Sequence, residues 1–93
     1  MADKLQVCTS DTLLVSGSGA LAAIVATVQS GASNPKLTFY NNTTGSGTAI
    51  FQAVLVSYPL LIFFPDRFAP RFSTGLYVKV ETGIVLTVWW RQL

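Results

Sequence analysis

The sequence predicts an all-β fold: a compact β-sandwich or jelly-roll-like domain of seven to eight short antiparallel strands. Two observations carry this. Runs rich in Val, Ile, Leu, Phe, Thr and Trp are cut by Gly, Ser, Asn and Pro clusters, at roughly the 8–12-residue spacing of sandwiches and barrels. Two of those runs also alternate strictly, with the period of two that a half-buried strand requires. A chain of 93 residues makes one domain, here residues 13–93 behind an N-terminal arm of residues 1–12.

Each element follows from local chemistry. The first dozen residues are mixed and polar and read as an extended lead-in ending near Thr12. Leu13–Val15 is a short strand, and Ser16-Gly17-Ser18-Gly19 is a loop, because glycine permits positive φ and serine forms local side-chain turns. The alanines of Ala20–Gln29 allow a helix, but β-branched Ile24, Val25, Thr27 and Val28 between Gly-rich loops favour a strand. Ser30–Pro35 is a loop. Lys36–Tyr40 alternates, with Leu37 and Phe39 on one face. Asn41–Gly47 is a long polar turn, and Thr48–Val56 a strand ended by Tyr58-Pro59. Leu60–Phe64 then continues on the opposite sheet. Pro65–Phe72 contains two prolines, which lack the N–H that an interior strand donates, and reads as a structured loop. Gly75–Glu81 turns Leu76, Val78 and Val80 inward and Tyr77, Lys79 and Glu81 outward. Ile84–Arg91 places Ile84, Leu86, Val88 and Trp90 on one face. Only Thr82-Gly83 separates these last two strands, which predicts a hairpin.

Charged residues make up 11 % of the chain, against roughly 25 % in ordinary soluble domains. The longest apolar stretches, Ala20–Val28, Val54–Phe64 and Ile84–Trp90, fall short of the ~20 residues of a spanning helix, so no membrane partner is expected. The apolar excess is expected instead to bury between copies of the chain. Lys4, Lys36, Arg67, Arg71, Lys79 and Arg91 are scattered rather than striped, which argues against nucleic acid. Residues Met1–Leu5 carry no secretion signal core, and Cys8 has no partner for a disulfide within the chain, so synthesis in a reducing cytoplasm is expected.

The parts of an enzyme are scarce. There is no His, and Asp3, Asp11, Asp66 and Glu81 are dispersed, so no catalytic pair, metal or cofactor is expected. Neither Ser16–Gly19 nor Gly45-Ser46-Gly47 continues into a phosphate-binding motif, and both read as turns. Asn41-Asn42-Thr43 and Asn42-Thr43-Thr44 match the N-glycosylation pattern by coincidence in a Thr/Asn-rich turn. Cys8 reads as an inert thiol.

Contact surfaces are the better candidates. In Pro65–Phe72, Arg67 and Arg71 lie among Phe64, Phe68 and Phe72 and between prolines, a mixture enriched at interface centres. Trp89 and Trp90 must point to opposite faces of a regular strand, so one enters the core and the other meets a neighbour. With Tyr77, the candidate interface is Arg67, Phe68, Arg71, Phe72, Tyr77, Trp89 and Trp90. Tyr40, Tyr58, Tyr77 and an exposed Trp offer the alternative of stacking on sugar rings, as in a carbohydrate- or receptor-binding module.

The run Leu37-Thr38-Phe39-Tyr40-Asn41-Asn42-Thr43-Thr44-Gly45-Ser46-Gly47-Thr48-Ala49-Ile50, followed by Phe72-Ser73-Thr74-Gly75-Leu76-Tyr77-Val78 and a terminal Val-rich strand, resembles small virion proteins of tailed bacteriophages. The likeness covers residues 36–90 and lies in turn and strand patterns. Members of known role are capsid decoration, or cement, proteins: β-sandwiches that clamp neighbouring major capsid subunits. The resemblance implies a non-enzymatic protein on the capsid surface, without cofactor. Its partners would be the major capsid protein and its own copies, in a trimer before a dimer. Head-fibre and tail modules share the pattern.

Overall fold

The computed structural model describes residues 4–29, 34–55, 59–65 and 67–92. Among these the chain forms nine strands: β1 (Lys4–Cys8), β2 (Thr12–Ser16), β3 (Gly19–Val28), β4 (Lys36–Asn41), β5 (Ala49–Val54), β6 (Leu60–Phe63), β7 (Arg71–Phe72), β8 (Gly75–Val80) and β9 (Ile84–Gln92). They pair into two antiparallel sheets. One has the order β1-β9-β3-β6, with the two-residue β7 also on β3; the other has the order β2-β8-β4-β5. With β7 set aside, the orders are first-eighth-third-sixth and second-seventh-fourth-fifth, the interleaved arrangement of a jelly roll. The predicted all-β sandwich is the observed fold. The segment that also allowed a helix, Ala20–Gln29, lies in the longest strand, β3.

Two expectations are corrected. Lys4–Cys8, assigned above to an arm, is an edge strand that pairs with β9 from Lys4↔Trp90 to Cys8↔Leu86. The predicted hairpin of the last two strands is absent: β8 pairs with β2 and β4, and β9 with β1 and β3. Side-chain parity explains this. A two-residue turn at Thr82-Gly83 would pair Glu81 with Ile84, and so put Val80, Val78 and Leu76 on the same face as Val85, Thr87 and Trp89. The residues that bury are Leu76, Val78 and Val80 together with Ile84, Leu86, Val88 and Trp90. Both sets reach one core only from opposite sheets. The crossing is pinned at Gly83, with φ of 101°, whose carbonyl accepts from Gln29 N at 2.7 Å. Beside it, Lys36 N donates to Glu81 Oε1 at 2.6 Å.

The core fills the space between the sheets. Leu21, Ile24, Ala26, Ile84, Leu86, Val88, Phe72, Cys8 and Trp90 face Leu37, Phe39, Leu76, Val78 and Val80. Phe39 meets Phe51 at 6.2 Å between ring centroids, and Phe51 meets Phe64 edge-on at 5.5 Å. This chain of rings joins β4 and β5 to the segment that leaves β6. Each such pair is worth about 0.5–1.5 kcal/mol beyond its buried area.

Within Pro65–Phe72, the described residues Pro65 and Arg67–Pro70 lie outside strands, as the prolines require. The segment is an excursion from a single edge line: Phe64 N donates to Ala22 O at 2.9 Å and Leu21 N to Pro70 O at 2.9 Å. Between these bonds the chain turns through Phe68 N→Pro65 O at 2.8 Å and returns as β7, where Phe72 lies opposite Gly19. A Cβ at Gly19 would collide with Arg91 O and stand 2.6 Å from Phe72 Cζ.

Gly19→Ala is therefore expected to destabilise the fold by about 1–3 kcal/mol, the cost of overpacking a close-packed site. Urea unfolding followed by far-UV circular dichroism checks this; a midpoint equal to the parent's would show that the β3–β9 contact yields without cost.

Candidate functional site

The register of the first sheet fixes which side chains leave the core. Leu5 lies opposite Trp89, Trp89 opposite Ala23, and Ala23 opposite Phe63. The next outward row is Val7, Thr87, Val25 and Leu61, and Val85 with Thr27 follows on β9 and β3. Two complete rows across four strands thus carry no charge, and their sole hydroxyl is Thr87. Phe63 is 72 % exposed, Leu61 58 %, Val7 57 % and Leu5 55 %.

Within this face lies a hollow of about 470 Å³. Its floor is Ala22, Ala23 and Val25 of β3, and its walls are Trp89 and Arg91 of β9 on one side and Phe63, Phe64 and Pro65 on the other. The relief follows from the sequence of β3. Small alanines sit between the large aromatics of β9 and β6, which cover them so well that Ala23 is buried although it points away from the core. A bulge between Leu21 and Ala23 inserts Ala22 at the same level. At one end of the face, Ala20 lies between Arg91 of β9 and Arg71 of β7, so an apolar patch ends in a basic rim.

The opposite outer face has a different character. Thr38 pairs with Lys79 and Gln52, and Tyr40 with Tyr77. Gln52 Nε2 donates to Thr38 Oγ1 at 3.3 Å. The polar turn after β4 folds over this side, with Gly45 so close to the Tyr77 ring that a Cβ there would stand 3.0 Å from it. Asn41 Oδ1 accepts from Ser73 N at 3.0 Å and Thr74 N at 2.9 Å, which ties the turn to the start of β8.

The predicted interface residues divide accordingly. Phe72 and Trp90 belong to the core, 3 % and 5 % exposed, and present nothing to a partner. The indole N–H of Trp90 is buried with no acceptor among the described residues. Trp89 is the outward member of the pair, half-buried as a wall of the hollow. Arg71 stands at the basic rim, while Arg67 and Phe68 are exposed on the excursion. Tyr77 lies on the other sheet and shares no surface with them. Tyr58 and Asp66 lie outside the described residues. Leu5, Val7, Val25, Leu61 and Phe63 were not singled out from sequence. The available signal was apolar residues at outward as well as inward positions of β3 and β6, and the alternation of Leu5 and Val7 with Lys4 and Gln6 in β1.

Among the described residues, no other cluster competes. Asp11 and Glu81 line one cleft with Lys79, which their spacing in sequence concealed. Each carboxylate has a structural role there: Asp11 Oδ1 accepts from Val80 N at 2.8 Å, and Glu81 accepts from Lys36 N. Among the described residues, no three His, Cys, Asp or Glu side chains gather as a metal site would require. Cys8 is buried against the core. Burial pushes its thiol pKa up, and a side-chain hydrogen bond with Thr12 partly offsets the rise.

The chain matches no protein-family model, and comparison with curated proteins and with solved structures yields no significant match. The reading of its function therefore rests on the geometry of this face and on the sequence pattern.

The raised Cys8 pKa has a definite sign. The folded state holds the neutral thiol more strongly than the unfolded chain does, so this stabilisation is complete below the ordinary value of 9.0 and fades above it. Stability should fall between pH 8 and about 10 by more in the parent than in Cys8→Ala, as paired urea titrations would measure. Equal losses in both proteins would remove Cys8 from the alkaline response.

Proposed function

We propose that this chain is a non-enzymatic structural protein of a virus particle, of the capsid-decoration kind, and that its copies associate through the outer face of the β1-β9-β3-β6 sheet. The observation that carries the reading is that face: two uncharged rows across four strands, around a hollow walled by Trp89 and Phe63. The largest apolar patch of a small protein is often a functional contact surface, and this one spans the full width of a sheet. The fold agrees, since jelly rolls are recurrent in viral capsid and lectin domains, although a fold alone does not assign a role. The run from Leu37 to Ile50 and the segment Phe72–Val78 point the same way, through their resemblance to phage virion proteins. In a shell, many copies of a small rigid module convert individually modest contacts into a large total stabilisation. The partners on this reading are other copies of the chain and the major capsid subunits that they bridge.

A carbohydrate-binding role would require aromatic rings open to a sugar among polar neighbours. The paired Tyr40 and Tyr77 have such neighbours, but both are half-buried and Gly45 packs on the Tyr77 ring. Of the two most exposed aromatics among the described residues, Phe68 and Phe63, Phe63 stands among mainly apolar side chains, which favours a protein interface.

The test is location. Mass spectrometry of gradient-purified particles should find the chain in many copies each, and antibodies against it should label the head surface in electron micrographs. Its presence only in the soluble fraction of infected cells, with none on particles, would overturn the proposal.

A further inference from the structure

We infer that β1 is a releasable strand and that the place it leaves on β9 is taken by the β1 of a second copy, so that neighbouring copies exchange strands. The inference goes beyond the decoration role and does not depend on it.

Side-chain parity shows how little of the core β1 supplies. Lys4, Gln6 and Cys8 lie opposite Trp90, Val88 and Leu86, on the core side of β9, while Leu5 and Val7 lie opposite Trp89 and Thr87 on the outer side. Two of the three inward positions are thus polar, and both outward positions are apolar. Lys4 and Gln6 stay exposed at the margin of the sandwich, and of the five residues only Cys8 is buried. β1 is moreover the end strand of its sheet, with its ladder on β9 alone. An element with few buried apolar contacts and a solvent-exposed ladder opens before the fold as a whole does.

The connection to β2 permits the same motion. Residues 9–11 carry the chain from one sheet to the other, and they are fastened on the β2-β8 side. Thr12 Oγ1 donates to Ser10 O at 2.9 Å, and Asp11 Oδ1 accepts from Val80 N at 2.8 Å. Release of β1 breaks its ladder with β9 and the hydrogen bond between Cys8 and Thr12. It leaves these two fastenings, and with them the second sheet, in place. Thr9 is then the pivot.

Release uncovers the backbone edge of β9 from Leu86 to Trp90, and an open edge is a template for another strand. The structure already shows one strand that fits this edge, in a defined register: β1 itself. The β1 of a second copy makes the same hydrogen bonds and buries the same Cys8, so the closed and exchanged forms differ in the path of the link rather than in the pairing. The short link favours the closed form through a high effective concentration, and crowding of copies shifts the balance towards exchange.

The experiment pairs two variants of the full chain, each in a Cys8→Ala background: Gln6→Cys and Val88→Cys. These positions are opposed across β1 and β9, with Cα atoms about 4.5–5.5 Å apart, within the span of a disulfide. Val88 is fully buried, so contact between outer faces does not bring the two thiols together. They meet when the β1 of one copy lies on the β9 of another. After incubation over a concentration series and mild oxidation, the mixture is expected to give at least about tenfold more disulfide-linked heterodimer than a control mixture of Val88→Cys with Lys79→Cys, because strand pairing holds the thiols at a high effective concentration. Circular dichroism verifies that each variant is folded. If Val88→Cys is not, the parent, through its own Cys8, is mixed instead with Leu86→Cys in the Cys8→Ala background, the other opposed pair on the core side. In the parent, Cys8 is expected to react with a thiol reagent at least about tenfold faster than global unfolding allows, the mark of a local opening. A heterodimer yield no greater than the control overturns the exchange, and Cys8 labelling at the global limit overturns the release; either result overturns the inference. Both are separable from failure of the decoration role, since an exchanging chain absent from particles refutes that role alone.

Discussion

The ladder between β3 and β9 is the contact on which the rest of the structure depends. It runs from Gly19↔Gln92 to Val28↔Ile84, and the other strands of that sheet hydrogen-bond to one of these two. Its inward side, with Leu21, Ile24 and Ala26 beside Trp90, Val88 and Leu86, supplies half of the core. Its outward side, with Ala23 and Val25 beside Trp89 and Thr87, supplies the floor and one wall of the hollow. Gly19 sets how closely the end of this ladder approaches Phe72, since no side chain fits between Phe72 and the Arg91 carbonyl. Fold and candidate site are therefore two sides of one pair of strands.

That two-sidedness separates the sheets. In an antiparallel sandwich, one face of each sheet ordinarily meets the core and the other meets water. The β2-β8-β4-β5 sheet follows this rule, with Thr38, Gln52, Lys79 and two tyrosines outside. The β1-β9-β3-β6 sheet departs from it, because outward Leu5, Val7, Trp89, Val25, Leu61 and Phe63 are apolar in four different strands. A departure repeated across four strands in matching rows is a property of the surface rather than of any single residue. Such a surface gains by meeting a third layer.

The apolar excess thus acquires a location. Read as composition, 51 % apolar residues states only that more surface must be buried than one small core can hold. The register places the surplus on one face, and gives the few charges an arrangement too: Arg71 and Arg91, twenty residues apart in sequence, flank the same alanine. Asp11 and Glu81, in contrast, are committed to backbone N–H groups of β8 and β4, where they fix the connections between strands.

Strand identity was legible because alternation is a local property. Leu76, Val78 and Val80, like Ile84, Leu86, Val88 and Trp90, declare an inward face through their spacing alone, and the glycines and prolines mark where strands stop. The separation of Trp89 from Trp90 was legible for the same reason. Partnership was not. The hairpin expected at Thr82-Gly83 rested on loop length, while the parity of the buried residues on either side already required opposite sheets. The arm that proved to be β1 shows only the short alternation of Leu5 and Val7 with Lys4 and Gln6, and what holds it is backbone pairing to β9. Phe72 and Trp90 were placed at an interface because aromatics are enriched there, yet the open space beside Gly19 draws Phe72 inward, and Leu21 on the core face of β3 lies beside Trp90. By itself the sequence determined that this protein is a small all-β domain with more apolar surface than its core can use. Only the tertiary structure decided which strands share a sheet, and hence which apolar residues remain outside, because hydrogen-bonded register is set between segments far apart in the chain.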